Sequence, residues 1–219
     1  MIRIFLTGYM GAGKTTLGKA FAREMNVPFI DLDWYIEERF HKSIRELFTE
    51  RGEASFRELE RNMLHEVGEF EDVVVSTGGG TPCFFDNMEY MNGCGQTVFL
   101  DVHPDILFRR LRVAKQQRPI LQGKTDEDLR TFIVEALDKR EPFYSQARYR
   151  FDAGYLESRS QISESVQRLR HFLISTFTIR LFTIYYFPTI VCLIKGATKI
   201  HINLIYPAPR TEKYTFTRD

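Results

Sequence analysis

Short apolar runs alternate along the chain with longer amphipathic stretches. The runs have the length and the β-branched or aromatic content of strands in a sheet, and they lie at residues 2–6, 27–32, 72–76, 96–101 and 149–152. Between them, apolar residues recur at helical spacing, as in 15–25, where Leu17, Ala20 and Phe21 share a face. Strands that alternate with helices are typical of a parallel sheet covered by helices. We therefore expect an α/β domain.

A glycine-rich segment follows the first strand. Gly8 to Thr15, GYMGAGKT, matches the phosphate-binding pattern G-x-x-x-x-G-K-[ST] in full. Its glycines let the backbone aim several N–H groups inward, at the positive end of the following helix. Lys14 supplies a charge for the β and γ phosphates of a nucleotide, and the Thr15 hydroxyl suits the octahedral shell of Mg²⁺. A glycine-rich turn without a ligand is the alternative, and the flanking strand and helix argue against it.

Composition narrows the possible partners. The 219 residues are 43% hydrophobic and 27% charged, and 30 Lys and Arg against 29 Asp and Glu leave a net charge of +1. The overall charge of the chain therefore gives no indication that it binds nucleic acid or an anionic membrane. The cysteines, Cys83, Cys94 and Cys192, lack metal-ligand spacing, and no secretory signal precedes Gly8. We expect a cytoplasmic protein.

Polar residues and glycines follow the second and third strands. Asp31 and Asp33 are two residues apart, so in extended chain they point to the same side, at the edge where parallel sheets bind ligands. Alternatively, Asp33 caps a helix predicted at 34–40. The glycine triplet, Gly78 to Gly80, implies close approach of the backbone to a ligand or to a neighbouring chain segment.

Three arginines are candidates for binding anions. Arg140 falls in the middle of an apolar stripe on a helix predicted at 126–148, so it needs an anion or a carboxylate partner, and Pro142 should kink or stop that helix. Arg57 lies on a helix that starts at Glu53, and spacing alone favours an i,i+4 pair with Glu53 over a ligand-binding role. Arg118 lies in a polar segment, which is either a lid over a ligand or a solvated loop.

The C-terminal part has a different composition. Residues 172–194 are rich in Phe, Ile, Thr and Tyr, with one charge, Arg180, and with Pro188. A charge near the middle and a proline both weaken a membrane-spanning helix, so we predict no span here. The β-branched and aromatic content favours strands or an aggregation-prone tail.

Taken together, the motifs resemble the shikimate kinase family. The matching segments are, in order, Gly8 to Thr16, Asp31-x-Asp33, Phe56-Arg57-x-x-Glu60, Gly78 to Gly80, Arg118-Pro119-x-Leu121 and Lys139-Arg140-x-Pro142-x-Tyr144. Only the phosphate loop is specific alone.

The resemblance implies a fold, a set of ligands and a set of roles. The fold is the three-layer P-loop kinase fold, with a central parallel sheet of about five strands flanked by helices. The implied divisions are a domain over 1–173, with substrate-binding helices at about 33–68 and a lid at about 113–126, and a tail of unknown role over 174–219. ATP would be bound by Gly11, Ala12, Gly13, Lys14, Thr15, Thr16, Arg118 and Arg159. Shikimate would be bound by Asp33, Arg57, Gly79, Gly80 and Arg140, with Thr15 as the Mg²⁺ ligand and Lys14, Asp33 and Arg118 as the catalytic residues.

The implied function is phosphorylation of the 3-hydroxyl of shikimate by ATP, by a monomeric enzyme of the pathway to chorismate and the aromatic amino acids. A gluconate or nucleotide kinase is the first alternative, although a nucleoside acceptor would call for a base-stacking pocket. A GTP-driven switch or a non-catalytic regulator is the second. The chain has no Asn-Lys-x-Asp motif for guanine, and the arginines and the glycine triplet would have no role in a switch.

Overall fold

The computed structural model describes residues 2–114 and 121–181. Within these residues, the strands are β1 (Arg3–Thr7), β2 (Phe29–Asp31), β3 (Val73–Ser76), β4 (Gln96–Asp101) and β5 (Tyr149–Asp152). The α-helices of the same residues are α1 (Lys14–Met25), α2 (Leu32–Phe40), α3 (Ile44–Gly68), α4 (Asn87–Cys94), α5 (Pro104–Val113), α6 (Asp126–Tyr144) and α7 (Arg159–Leu181). A short 3₁₀ turn, Thr81–Cys83, follows the glycine triplet.

The strands form one parallel sheet in the order β2-β3-β1-β4-β5. β1 is central, with Phe5 paired to Val75 of β3 on one side and to Thr97 of β4 on the other. Because all strands run the same way, their carboxyl ends meet at one edge, where β1 leads into the phosphate loop and β3 into the glycine triplet. The predicted parallel α/β sheet is confirmed.

Apolar side chains pack on both faces of the sheet. Along β1, Ile4 and Leu6 point to one face and Phe5 to the other, as the period of two in a strand requires. One core unites the sheet with α1, α5, α6 and α7, and it includes Leu17, Leu107, Ile133 and Leu169. The other unites it with α2, α3 and α4, and it includes Ile36, Leu64 and Met91. This three-layer packing fixes the carboxyl edge of the sheet, where the phosphate loop and the glycine triplet lie.

The capping residues at the starts of α3 and α2 are defined by the structure. Ser43 and Glu46 form a capping box at the start of α3, in which the Ser43 N–H donates to Glu46 Oε2 at 2.8 Å. α2 begins at Leu32 with Asp31 as its N-cap residue. Asp33 therefore lies inside the first turn, and its predicted role as the cap is wrong because the helix starts earlier than the pattern indicated.

α3 and α6 differ from the prediction at a glycine and at a proline. Gly52 adopts φ 72° and ψ 169° and breaks the helical path inside α3, just before Glu53, where the sequence predicted the start of a separate helix. α6 runs through Pro142 and ends at Tyr144, short of residue 148. Since Pro142 lacks an N–H for the preceding turn, the helix ends soon after it.

α7 continues beyond Leu173 to Leu181. The strands favoured there by composition are therefore wrong for 174–181, since a helix already nucleated at Arg159 extends at little cost and strand propensity depends on a neighbouring strand. No helix among the described residues is long and apolar enough to span a bilayer. Contacts group the chain into two units, Met1–Leu173 and Ile174–Asp219. Residues 182–219 lie outside the described part, and the functional independence of the first unit stays a prediction.

Candidate active site

The phosphate loop has the backbone conformation of an anion site. Gly11 and Gly13 have φ values of 81° and 94°, a region that favours glycine. A Cβ on Gly13 would also meet the end of the Leu156 side chain, which would have to move to make room. α1 begins directly afterwards at Lys14, and the first N–H groups of a helix have no partner within it. The loop therefore presents backbone donors and the positive helix end to one point.

The side chains of Lys14 and Thr15 lie beside these donors. Lys14 Nζ donates to the carbonyl oxygens of Gly8 at 2.8 Å and Tyr9 at 3.1 Å, so its charge is held over the loop. The Thr15 hydroxyl donates to Asp31 Oδ2 at 2.7 Å. That bond uses the hydroxyl proton and leaves the lone pairs of the Thr15 oxygen available to bind a cation, next to the Asp31 carboxylate.

A cavity of about 450 Å³ opens over the loop. Its lining includes five of the predicted nucleotide-binding residues, Gly11, Gly13, Lys14, Thr15 and Thr16. Ala12 lies outside this lining, with its side chain 1% exposed and its N–H donating to the Tyr9 carbonyl at 3.1 Å. Asp33 and Gly79 line the same cavity, so the structure brings two of the predicted acceptor residues to the phosphate loop, while Arg57, Gly80 and Arg140 lie outside this lining.

Asp33 is a partly buried carboxylate among other acids. Burial, together with the negative charges of Asp31 and Glu60, raises the pKa of Asp33 to about 6, and Lys14 opposes this shift. A carboxylate with such a pKa is half protonated near pH 6 and can accept a proton at neutral pH.

Each glycine of the triplet touches a different part of the site. A Cβ on Gly78 would lie 2.8 Å from Asp33 Oδ1, and one on Gly80 would lie 2.9 Å from an Arg57 nitrogen. The same position on Gly79 is 3.5 Å from an Arg140 nitrogen and 3.6 Å from the Gly8 carbonyl oxygen. The close approach predicted from the triplet is confirmed, and it joins the phosphate loop to both arginines.

Arg57 is held rigidly at the Gly80 end. Its guanidinium pairs with Glu60 at 2.8 Å and Glu53 at 3.4 Å, and it lies 4.1 Å from the ring centre of Phe84. Glu60 is 2% exposed and also accepts a hydrogen bond from the Thr81 hydroxyl at 2.6 Å. The ion pair between Arg57 and Glu53 that the sequence suggested is therefore present, and it does not prevent Arg57 from also lining a binding site. Within the described residues, the buried Arg57 Nε atom has no hydrogen-bond partner.

Arg140 occupies the Gly79 end. One guanidinium nitrogen donates to the Gly79 carbonyl oxygen at 3.2 Å, and the group lies 5.3 Å from the ring centre of Tyr9. The apolar stripe predicted a carboxylate or anion for this side chain. In the structure a backbone carbonyl and an aromatic face contact it, and it is half-buried.

Sequence reasoning left one conspicuous residue unassigned. Arg110 of α5 donates to the carbonyl oxygens of Gly11 at 3.2 Å and Gly154 at 3.0 Å, and pairs with Glu157 at 2.9 Å. It thus ties the phosphate loop to the segment after β5 and lines the cavity. Its position in the last turn of an amphipathic helix carries no motif, so the sequence alone did not identify it.

One predicted residue is not brought into the site, and another lies outside the described residues. Arg159 is the first residue of α7, is exposed, and lies outside the cavity lining, where Leu156 and Glu157 contribute instead. Arg118 lies outside the described residues. On the described side of the same segment, Leu121 is 0% exposed and packs in the core, which anchors the approach to α6.

Comparison with known proteins gives one consistent family. The family model described as shikimate kinase matches residues 10–170. The shikimate kinase of Bacteroides thetaiotaomicron is 76% identical over 173 residues, which cover 79% of this chain and 99% of the relative.

Solved structures agree. The crystal structure of shikimate kinase from Bacteroides thetaiotaomicron matches with a TM-score of 0.77, covering 78% of this chain and 98% of that chain. Shikimate kinase from Acinetobacter baumannii in complex with shikimate, 28% identical, matches with a TM-score of 0.71 and covers 80% and 94% of the two chains. The phosphate loop, the two arginines at the glycine triplet and these similarities lead to one conclusion: this chain belongs to the shikimate kinase family.

Proposed function

We propose that the chain transfers the γ-phosphoryl group of ATP to the 3-hydroxyl of shikimate, giving shikimate 3-phosphate and ADP. The donor would lie on the phosphate loop. The acceptor would lie in what we call the acceptor region, defined as Asp33, Arg57, the glycine triplet and Arg140. The observation that carries the proposal is that Gly79 touches the phosphate loop and Arg140 at once, while the adjacent Gly80 touches Arg57.

On the donor side, the N–H groups of the loop and of the first turn of α1 would bind the phosphates. Lys14 Nζ, held over the loop carbonyls, would neutralise charge on the β and γ phosphates. Such groups accelerate phosphoryl transfer because they are already oriented toward the position where charge develops. Arg118 would add a second positive charge from the lid, a role that stays a prediction.

On the acceptor side, Arg57 and Arg140 would bind the shikimate carboxylate. Two guanidinium groups at successive glycines suit a planar anion, and the unpartnered Nε of Arg57 supplies a donor. Asp33 would orient the 3-hydroxyl and accept its proton as the oxygen bonds to phosphorus and the bond to the ADP oxygen breaks. Its raised pKa, about 6, matches a base at neutral pH.

The residues around Thr15 fit a Mg²⁺ ion. The Thr15 hydroxyl oxygen and the Asp31 carboxylate lie together beside the loop, and hard oxygen ligands of this kind are those Mg²⁺ prefers. Thr15 would contribute a direct ligand, and Asp31, to which its proton is donated, would orient that hydroxyl. When bound, the ion would neutralise phosphate charge.

A coupled assay of ADP release tests the proposal. Shikimate, gluconate and nucleoside monophosphates are supplied in parallel with ATP and Mg²⁺, and turnover should require shikimate. Turnover with gluconate or a nucleotide in its place would favour the alternative kinases, and ATP binding without turnover of any acceptor would favour a regulator.

The state of the enzyme in the cell is also part of the proposal. We expect a monomer, because the donor and acceptor residues named above all belong to one chain. We expect it in the cytoplasm, as membership of the shikimate kinase family suggests. Size-exclusion chromatography with light scattering checks the first expectation, and fractionation of cells the second.

A further inference from the structure

Tyr144 is a buried polar residue for which the reaction just described provides no role. Its side chain is 0% exposed, and its ring stacks on Phe99 with centroids 5.1 Å apart. Its hydroxyl donates to the Gly79 carbonyl oxygen at 2.6 Å. Arg140, one helical turn earlier on α6, donates to the same oxygen at 3.2 Å. A single carbonyl of the glycine triplet is thus held by two donors from one helix.

The held carbonyl determines where the next N–H points. No cis peptide bond occurs among the described residues, so the Gly79–Gly80 peptide is trans and planar. In such a group the carbonyl and the N–H point in opposite directions. With the Gly79 oxygen fixed on α6, the Gly80 N–H is directed away from Tyr144. A Cβ at Gly80 would lie 2.9 Å from Arg57, so this peptide borders both halves of the carboxylate site.

The Thr81 N–H donates to the Gly78 carbonyl oxygen at 3.2 Å and closes a turn around this peptide. Within such a turn, glycines still leave the central peptide several orientations unless a further contact holds it. Neither Gly79 nor Gly80 has a side chain that restricts the backbone. Arg140 has a second task, since it would bind the substrate carboxylate. A neutral donor that does not itself bind substrate is therefore useful, and the Tyr144 hydroxyl also interacts with the Arg140 side chain. Burial raises the pKa of Tyr144, so the phenol keeps its proton as a donor across the working pH range.

We propose that Tyr144 is a positioning residue for the acceptor, whose hydroxyl locks the Gly79–Gly80 peptide so that the peptide and Arg140 receive the substrate. The inference rests on the proposed function. It assigns Tyr144 an effect on shikimate binding and none on ATP, although Gly79 also touches the phosphate loop. A residue that only supports the core would affect stability and both substrates together.

The test is Tyr144→Phe, which removes only the hydroxyl. Shikimate binding is measured by calorimetry without ATP, and KM values for both substrates by coupled assay. The loss of one hydrogen bond should weaken shikimate binding roughly three- to tenfold, with the ATP KM within about twofold. Tyr90→Phe is the matched control, because Tyr90 also donates its hydroxyl to a backbone carbonyl, that of His65 at 3.1 Å, outside the site. It should leave shikimate binding unchanged.

Phe99→Leu separates the hydroxyl from the ring packing, since it keeps the donor and removes the stacked partner. It should lower the unfolding temperature and change shikimate affinity less than Tyr144→Phe. Equal affinity losses in these two variants, or parallel rises of both KM values in Tyr144→Phe, would overturn the inference. So would a Tyr144→Phe enzyme that binds shikimate like wild type. Wild-type protein that neither binds nor phosphorylates shikimate would overturn the proposed function itself, and the inference with it.

Discussion

In the phosphate loop, the residues that line the cavity come from one short stretch of chain between Met10 and Thr16, and the proposed phosphate ligands are mainly backbone N–H groups. In the acceptor region, the groups come from four separate segments: α2, α3, the chain after β3, and α6. Three of the six residues carry charged side chains. Arg140 is held by the Gly79 carbonyl oxygen of another segment. Arg57 pairs with two acids of its own helix and packs on Phe84 of the chain after β3. The donor site therefore depends on local conformation, and the acceptor site on tertiary packing.

The difference has consequences for mutation. A loop built from backbone tolerates changes of neighbouring side chains but not of glycines with positive φ. An assembled region depends on second contacts such as Glu60 on Arg57 and Tyr144 on Gly79. Donor and acceptor affinities should thus respond to separate sets of substitutions, and the variants below test that separation.

The largest effect should come from Lys14→Met, which removes the charge held over the loop. Groups that stabilise transition-state charge are worth about 10²–10³ in kcat, and we expect a loss near the upper end, with weaker ATP binding. Shikimate binding without ATP should stay within about twofold. Lys19→Met is the control on the same helix, because Lys19 Nζ lies 4.0 Å from the ring centre of Trp34 and outside the cavity lining. A Lys14→Met enzyme with more than a tenth of wild-type kcat would contradict the assigned role.

Asp33→Asn should give the next largest effect. The amide keeps the shape but cannot accept the hydroxyl proton, so kcat should fall by at least about 10²-fold while the ATP KM changes little. Wild-type kcat should also fall as pH drops through about 6, since protonation of Asp33 removes the base. Steady-state kinetics across pH 5–8 check both points. Near wild-type turnover by the variant would leave Asp33 with no chemical role.

Arg140→Lys sharpens the comparison within the acceptor region. Lysine cannot form the bidentate contact of a guanidinium, so shikimate binding should weaken by about 2 kcal/mol, roughly 30-fold, with ATP affinity little changed. The measurement is a double cycle, with wild type and variant each tested on shikimate and on its neutral amide. The amide lacks the anion, so the mutation should matter much less for it. Additive losses would show that Arg140 does not bind the carboxylate.

The same comparison explains what the sequence could predict. The phosphate loop follows from a contiguous pattern, because conformation there is set by glycines at fixed spacing. The alternation of strands and helices predicted the sheet because it, too, is encoded in local runs of residues along the chain. Arg140 could be singled out because a charge on an apolar stripe needs a partner, but the identity of that partner, the Gly79 carbonyl, depends on how α6 packs against the chain after β3.

Other features needed the folded structure. Arg110 gains its role only where α5 meets the loop and the segment after β5, and no spacing in the sequence encodes that meeting. The start of α2 at Leu32 was missed because Asp31 and Asp33 are both good capping residues, and the position of β2 decides between them. Strand propensity failed at 174–181 because it measures fit to a neighbouring strand.

The smallest effect should come from removal of the tail. Both substrate sites lie before Leu173, and the relative from Bacteroides thetaiotaomicron is matched over 99% of its length by 173 residues. Leu169 and Leu173 are 0% and 4% exposed and belong to the core, and a chain that ends at Leu173 keeps both of them. We propose that this shortened chain folds by itself, with both KM values and kcat within about twofold of the full chain.

A chain that ends at Arg170 is the matched control, because it is only slightly shorter but loses Leu173. Removing a buried leucine should lower the free energy of unfolding by about 2 kcal/mol, while the Leu173 chain should keep a cooperative transition. Thermal unfolding of the three chains, followed by the coupled assay, measures both. Loss of the cooperative transition in the Leu173 chain would mean that residues after it belong to the core. A rise in one KM alone would mean that the tail contributes to binding of that substrate. The comparison between the phosphate loop and the acceptor region would then have to include the tail as well.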